Sequence, residues 1–532
     1  MALNSNVFLF LLSLVVVSFG GPTLSMPLSL AASAFGFSLF WKSIELSNCR
    51  FWLATCWYTV VQLVQWHWVT STEYMGYGIL VAYVLTCFAI GLQFGLMTYF
   101  LRPPYRWLQF GAIAGIWTLI EWSRTFLING CFVWHPMGLS LAANDYSIQL
   151  ASVFGVFGLS FWVLITNLAA LKNKALWACL AIFPYLFGFC HQSYHESSLQ
   201  TKKELTIALV QTALKPEQRD LTRGRKASHI PPIQQWDRVL SSLKDSKSDR
   251  YDLIILPEGA FPYGSKHIMY PLVTAEKFWS RFGAPSDLPA YQDPYVRNSY
   301  VTNSFFLQSL ANHFRSEVIV GLEDTQHELA YNAAFHFKPN SDQIDRYHKQ
   351  ILIPIGEYIP FSLLSSFFAD KYGITSSFAA GESANLFEGT RSVGICMCLE
   401  ELYGGLMRKM KLAGADLFVN ITNDVWFPGT SLPWLHFHHG RLRAVESGVY
   451  LLRSCNTGVT SVIDPFGHAE RIIPVSEKSP GVLSMKIKVH SHPTFYTFWG
   501  DLPMMVFSAL LSLSYLFINF RKKKLLRIGI LN

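Results

Sequence analysis

Charge is scarce in this 532-residue chain: Asp, Glu, Lys and Arg together make up 15% of it. A typical soluble domain carries about 25%, so the composition argues against a wholly soluble protein. The formal net charge is +8, yet residues 201–520 hold 31 basic against 30 acidic groups, and the last twelve residues hold 5 basic and no acidic ones. The excess sits at the chain ends, so no basic stripe on a folded domain, and no nucleic-acid partner, is expected. Several motifs are missing as well. Without a C-x-x-C pair, no zinc ribbon or thioredoxin-type site is indicated. Without G-x-S-x-G, a serine hydrolase lacks its nucleophile turn. Neither a phosphate-binding G-x-x-x-x-G-K-[ST] nor a dinucleotide glycine fingerprint occurs. No cofactor and no metal are expected.

Long apolar runs are plentiful. They fall at roughly 7–21, 27–41, 51–66, 78–100, 107–122, 150–171 and 175–190, with one more at 502–520. A spanning helix needs about 20 such residues, and shorter runs can serve when flanking groups snorkel. The short runs at 51–66 and 175–190 leave the N-terminal count at six or seven. A cleaved leader would begin with a basic segment, and no Lys or Arg precedes Lys42. Lys42, Arg50, Arg102, Arg106, Lys172 and Lys174 all fall in alternate short loops, while the loops near 67–77 and 125–148 contain no Lys or Arg. By the positive-inside rule both termini are cytoplasmic, with Arg521, Lys522, Lys523 and Lys524 following the last run, and residues of about 191–501 lie outside.

That external part reads as alternating strands and helices. Leu205–Val210, Leu253–Leu256, Val318–Gly321, Ser392–Met397 and Leu417–Ile421 suit buried strands, and 234–244 and 434–446 are helix-length segments between them. The alternation predicts a layered α/β domain. The segment 259–302, rich in aromatics, Pro and Gly, reads as a long surface excursion. Three chemically able residues stand just past strand ends: Glu258 in LPEGAFP, Lys349 in YHKQILIPIGEYIP and Cys398 in CMCLEE. A carboxylate can take a thiol proton, and a cation can stabilise both thiolate and oxyanion, which together allow acyl transfer through a thioester. Spacing alone does not separate this from a capping Glu, a solvated Lys and a small buried Cys.

The order Glu–Lys–Cys within these motifs resembles the nitrilase (carbon–nitrogen hydrolase) superfamily over roughly 204–490, and NITNDVWF at 420–427 and LLRSCNTGVTSVIDPFG at 451–467 fit its later strands. Joined to the apolar runs and to WTLIEWSRTFLINGCFVWHPMG at 117–138, the chain resembles the bacterial apolipoprotein N-acyltransferases. The resemblance implies a multi-pass α-helical membrane domain (1–195), an extracytoplasmic nitrilase-like αββα sandwich (196–498) and a C-terminal helix with a basic tail (499–532). It also implies that Glu258 is the general base, Lys349 the oxyanion-stabilising cation and Cys398 the nucleophile. Glu357 and Glu400 match supporting acids, and Trp236 matches a mobile-loop residue near the lipid site. A phospholipid acyl donor, a diacylglyceryl apolipoprotein acceptor and surrounding membrane lipids are the implied partners, at a bacterial inner membrane. Rival readings are a membrane-tethered amidase and a non-catalytic transporter or scaffold.

Departures and side features complete the reading. Leu399 stands where the family has Tyr, the 259–302 segment is longer than the family leads one to expect, and Cys396 offers a second thiol two residues before Cys398. Residues 396 and 398 would share a face on a continued strand. Cys396 lies inside an apolar run, where burial keeps a thiol inert, and Cys398 lies at its polar exit. Glu121 and Arg124, one helical turn apart, read equally as a structural pair or as a lipid-headgroup site. His436, His438 and His439 read as a polar helix face and not a metal site.

Overall fold

A computed structural model describes residues 5–127, 132–197, 204–219, 228–246, 250–283, 300–359, 377–473, 475 and 479–527, the last six without side chains. Residues 284–299 of the excursion, Cys131 and the side chains of Lys522, Lys523 and Lys524 lie outside that set. The chain divides into two compact units. One comprises Met1–Ser198, Gly429–Gly448 and Pro493–Asn532, the other Leu199–Pro428 and Val449–His492.

The first unit is helical, and each apolar run has become helix: Ser5–Ser18, a broken pair over Met26–Ser43, Arg50–Gln65, Gly78–Tyr99, Trp107–Ser123, Ala151–Ala170, Lys174–Ser197 and Leu502–Arg527. Four segments (Gly78–Tyr99, Ser147–Ala170, Lys174–Ser197 and Leu502–Arg521) are long and apolar enough to cross a membrane. The others are shorter; at 1.5 Å per residue, the 14 residues of Ser5–Ser18 reach about 21 Å against a hydrocarbon core of about 30 Å. Small residues set the packing. Gly91 and Gly95 bring Gly78–Tyr99 so close to Arg50–Gln65 that a Cβ on either would stand 2.1 Å from a threonine Oγ1 of that helix, Thr59 and Thr55 respectively. Gly111 and Gly115 likewise meet Leu511 and Ser508 of the final helix. Close approach through glycine pairs is how helices associate where no hydrophobic drive separates protein from lipid.

Where regular helix fails, side chains take over its hydrogen bonds. The Met26–Ser43 pair is interrupted by a π-type turn at Ala32–Gly36. Asn167, fully buried, accepts there from Phe37 N at 2.9 Å and Ser38 N at 3.1 Å, and donates to Ser33 O at 2.8 Å. Glu121 and Arg124 form no direct ion pair. Glu121 accepts from Trp117 Nε1 at 2.7 Å and Met137 N at 2.9 Å; Arg124 donates to Gln93 Oε1 at 2.7 and 3.1 Å and lies over the Trp117 ring. Spacing placed them on one face, but nearer dipoles took both charges. The helix predicted at 434–446 forms, as Leu432–Ser447, and clusters with this helical unit. Its His439 bonds through Nε2 to Trp134 O at 2.9 Å.

The second unit is built on strands β1 (Glu204–Gln211), β2 (Leu253–Ile255), β3 (Ile268–Pro271), β4 (Tyr300–Thr302), β5 (Glu317–Gln326), β6 (Leu329–Phe337), β7 (Ile344–His348), β8 (Phe387–Glu388), β9 (Ser392–Met397), β10 (Leu417–Thr422), β11 (Leu451–Cys455), β12 (Thr460–Ile463), β13 (Ala469–Ile473) and β14 (Gly481–Lys488). Two six-stranded sheets result, ordered β14-β1-β2-β5-β6-β7 and β13-β12-β11-β10-β9-β8. Both are parallel at the centre and antiparallel at the edges. Alternate residues of each pack face to face, with Ile207, Leu209, Ile255 and Ile319 against Ile395, Met397, Val419 and Ile421 in one core. The other face of the first sheet is covered by helices Pro232–Asp245, Leu272–Arg281 and Asn303–Phe314. Within its described residues the excursion is ordered: β3, the Leu272–Arg281 helix and β4, the two strands antiparallel.

Candidate active site

The ends of β2, β7 and β9 deliver the three candidate groups. Glu258 follows β2 on a stretch tied to β5 by Gly321 N to Pro257 O at 3.2 Å and Ala260 N to Gly321 O at 3.2 Å. That approach requires glycine: a Cβ on Gly321 would stand 2.5 Å from Glu258 Cα. Lys349 follows β7 directly; its N–H donates to Asn332 O at 2.9 Å and its carbonyl accepts from Gly381 N at 2.8 Å. Cys398 stands one residue past β9 and opens a short 3₁₀ turn, Cys398–Leu402.

Lys349 is fully buried, so its charge has to be met locally. Its Nζ lies 2.9 Å from Glu357 Oε1 and 3.2 Å from Glu258 Oε1. Asn332 Nδ2 donates to the same two oxygens at 2.6 and 2.7 Å, so amide and ammonium bridge the carboxylates together. Glu357 Oε2 accepts from Ile353 N at 2.8 Å, which locks the carboxylate within its own turn. Burial pulls the Lys349 ammonium down in pKa, but Glu258, Glu357 and Cys398 outweigh it and hold the group well above its ordinary value. Burial raises the Glu258 carboxyl; Lys349 pulls it back and Glu357 pushes it up again, and it ends above the ordinary range.

Cys398 has φ +47°, a left-handed conformation unusual for a residue with a Cβ. Such positions cost about 1–3 kcal/mol and persist where the surroundings impose them. The turn lifts the thiol out of the strand, so the shared face expected for 396 and 398 ends at Met397. Burial, then the Glu258 charge, push the Cys398 thiol far up; Lys349 only partly offsets them. The group therefore rests as a thiol and needs a base at the moment of attack. Cys396 stays inside the strand, fully buried, where Asn420 Nδ2 donates to its Sγ at 3.4 Å. Burial raises it well above a normal thiol too.

Glu400 joins the lysine loop to the cysteine turn. Its Oε1 accepts from Gln350 N at 2.6 Å and Ile351 N at 3.1 Å, its Oε2 from Met397 N at 2.8 Å, and Tyr347 Oη lies 2.9 Å from both oxygens. Burial raises its pKa to about 7 against the pull of Lys349 and these N–H donors. Trp236 lies elsewhere. It sits within a helix and not on a loop, fully buried, stacked on Phe261 at 3.6 Å, with Nε1 donating to Tyr270 Oη at 3.1 Å. The indole is thus packed as a core aromatic in this structure, on a helix and not on the loop expected for it. Reading the sequence alone misses Asn332 and Tyr347. Asn332 carried a signal, being an amide set inside the otherwise apolar strand LAYNAAFHF.

Two known families match the chain. Residues 206–491 match the carbon–nitrogen hydrolase family, and residues 10–169 match the apolipoprotein N-acyltransferase N-terminal domain. The chain is 30% identical to an apolipoprotein N-acyltransferase of Chlamydia caviae, with 96% of each chain covered, and 30% identical to one of Chlamydia trachomatis, with 97% of each covered. A relative of the same name from Geobacter metallireducens is 28% identical over 73% of this chain and 70% of that one. Among solved structures, Saccharomyces cerevisiae Nit3 of the nitrilase superfamily is similar over 57% of this chain and 96% of its own, at 16% identity and a TM-score of 0.35.

Proposed function

The chain belongs to the apolipoprotein N-acyltransferase family, and we propose that Cys398, Glu258 and Lys349 carry its acyl transfer, from a membrane phospholipid to the α-amino group of a lipoprotein's N-terminal diacylglyceryl-cysteine. The observation that carries this reading is a thiol in a left-handed turn, its pKa raised by the Glu258 charge and lowered by Lys349, which themselves form a buried carboxylate–ammonium pair 3.2 Å apart. In the first half-reaction Cys398 Sγ attacks the ester carbonyl while Glu258 takes the thiol proton. Lys349 Nζ, held positive by Glu357 as well as Glu258, donates to the developing oxyanion. The C–O bond breaks, Glu258 returns the proton to the leaving lysophospholipid oxygen, and a thioester remains on Cys398. In the second half-reaction the amine attacks that thioester, its proton passes to Glu258, and Cys398 leaves and is reprotonated. Asn332 and Glu357 hold the base and cation in register, and Glu400 fixes the lysine loop to the cysteine turn.

Both substrates carry acyl chains in a bilayer, which accounts for a hydrolase-type fold joined to apolar helices. The basic loop residues Lys42, Arg50, Arg102, Arg106, Lys172 and Lys174 support a multi-pass arrangement in a bacterial inner membrane, with the catalytic unit periplasmic and both termini cytoplasmic. A labelled-acyl phospholipid tests the activity. The thioacyl-enzyme should persist in water and discharge when a diacylglyceryl-cysteine peptide is added, yielding an amide; rapid hydrolysis without the peptide would instead mark an amidase.

A further inference from the structure

The nucleophile turn carries two adjacent acids with different destinations. Glu400 is bound by Tyr347, Gln350 and Ile351, from the end of the first sheet. Glu401 turns to the second sheet, where its Oε1 lies 3.0 Å from Nε of Arg453 on β11, both side chains fully buried. Arg453 donates through Nη1 to Val459 O at 3.4 Å. Across the parallel strands Arg453 is the register partner of Asn420, and Asn420 that of Cys396. Asn420 Nδ2 reaches both Cys396 Sγ at 3.4 Å and Cys398 O at 3.5 Å. The guanidinium thus anchors the turn from two strands away.

Stability alone does not account for such a pair, because apolar residues of similar volume replace buried ion pairs at little or no cost. A need for position does account for it: Cys398 is held at a strained φ, and strain of this kind survives only where both ends of the segment are fixed. We propose that the Arg453–Glu401 pair is a second pin on the nucleophile turn, and that both are positioning residues which keep the Cys398 thiol aimed at Glu258 and Lys349. The proposal rests on Cys398 being the nucleophile.

The test uses the full chain in phospholipid nanodiscs. The wild-type protein is first shown to form an acyl adduct on Cys398; without that adduct, the assignment of the site itself fails. Single-turnover acylation, donor KM and melting temperature are then measured for Arg453→Met with Glu401→Leu, and for Arg453→Lys alone. A misaimed nucleophile costs about 100-fold in rate. The double variant should therefore fold with little change in melting temperature and unchanged donor KM, yet acylate about 100-fold more slowly. Wild-type acylation by the double variant, or a raised KM at unchanged rate, would overturn the proposal. If the double variant does not fold, Arg453→Lys decides: slowed acylation at unaltered melting temperature supports the pin, and wild-type acylation refutes it.

Discussion

Lys349 Nζ lies closer to Glu357 (2.9 Å) than to Glu258 (3.2 Å). Both carboxylates hold the ammonium, but of the two it is Glu258 whose charge also bears on the Cys398 thiol. The two glutamates should differ accordingly on substitution. General-base catalysis contributes about 10²–10⁴-fold, so Glu258→Gln should reduce single-turnover acylation by about 10³-fold. Glu357→Gln keeps an oxygen for Lys349 and should lose about tenfold. Equal losses would show that the two act as one unit.

The pH dependence follows from the same trio. Glu258 accepts a proton only as carboxylate, so acylation should fall as pH drops through its pKa. Burial and the Glu357 charge set that pKa above the ordinary carboxylate range, so the acid limb should lie above that of a solvent-exposed Glu. Glu357→Gln removes one of the upward pushes and should move the limb to lower pH. A limb that stays in place in this variant would detach it from Glu258.

Gly321 should not tolerate a side chain. A Cβ there meets Glu258 Cα at 2.5 Å, and backbone atoms cannot swing away as a flexible side-chain tip can. Overpacking of this kind costs about 1–3 kcal/mol. Gly321→Ala should therefore lose stability in that range, read by denaturant melting of the purified protein, and acylation should fall further than stability alone explains because the base is displaced.

Membrane orientation can be read with a fusion. A reporter active only in the cytoplasm, placed after residue 195, should be silent if the basic loops face inward. A bright signal would reverse the assigned topology.

Much of the architecture is legible in the sequence, for physical reasons that differ by element. The apolar runs become helices because a helix satisfies the backbone N–H and C=O groups within the segment itself, and β1, β9 and β10 follow their β-branched runs. Motifs at strand ends mark Glu258, Lys349 and Cys398, because a strand end fixes where its next residue goes. What is not legible depends on distant partners. The left-handed turn at Cys398 is imposed by Glu400 and its contacts with Tyr347, Gln350 and Ile351, some fifty residues earlier in the chain. Trp236 could have been a loop aromatic until Phe261 and Tyr270 closed over it. The break at Ala32–Gly36 is stable because of Asn167, which no local pattern links to it.

Cys398, and not its neighbour Cys396, should bear the acyl group. Intact-mass and peptide-mapping spectrometry of the protein after incubation with phospholipid tests this most directly, with Cys398→Ala and Cys396→Ala in parallel. The wild type should carry one acyl adduct on the peptide containing Cys398. Cys398→Ala should abolish it, and Cys396→Ala should keep it at a packing cost of about 1 kcal/mol. An adduct that survives Cys398→Ala and disappears with Cys396→Ala would contradict the account.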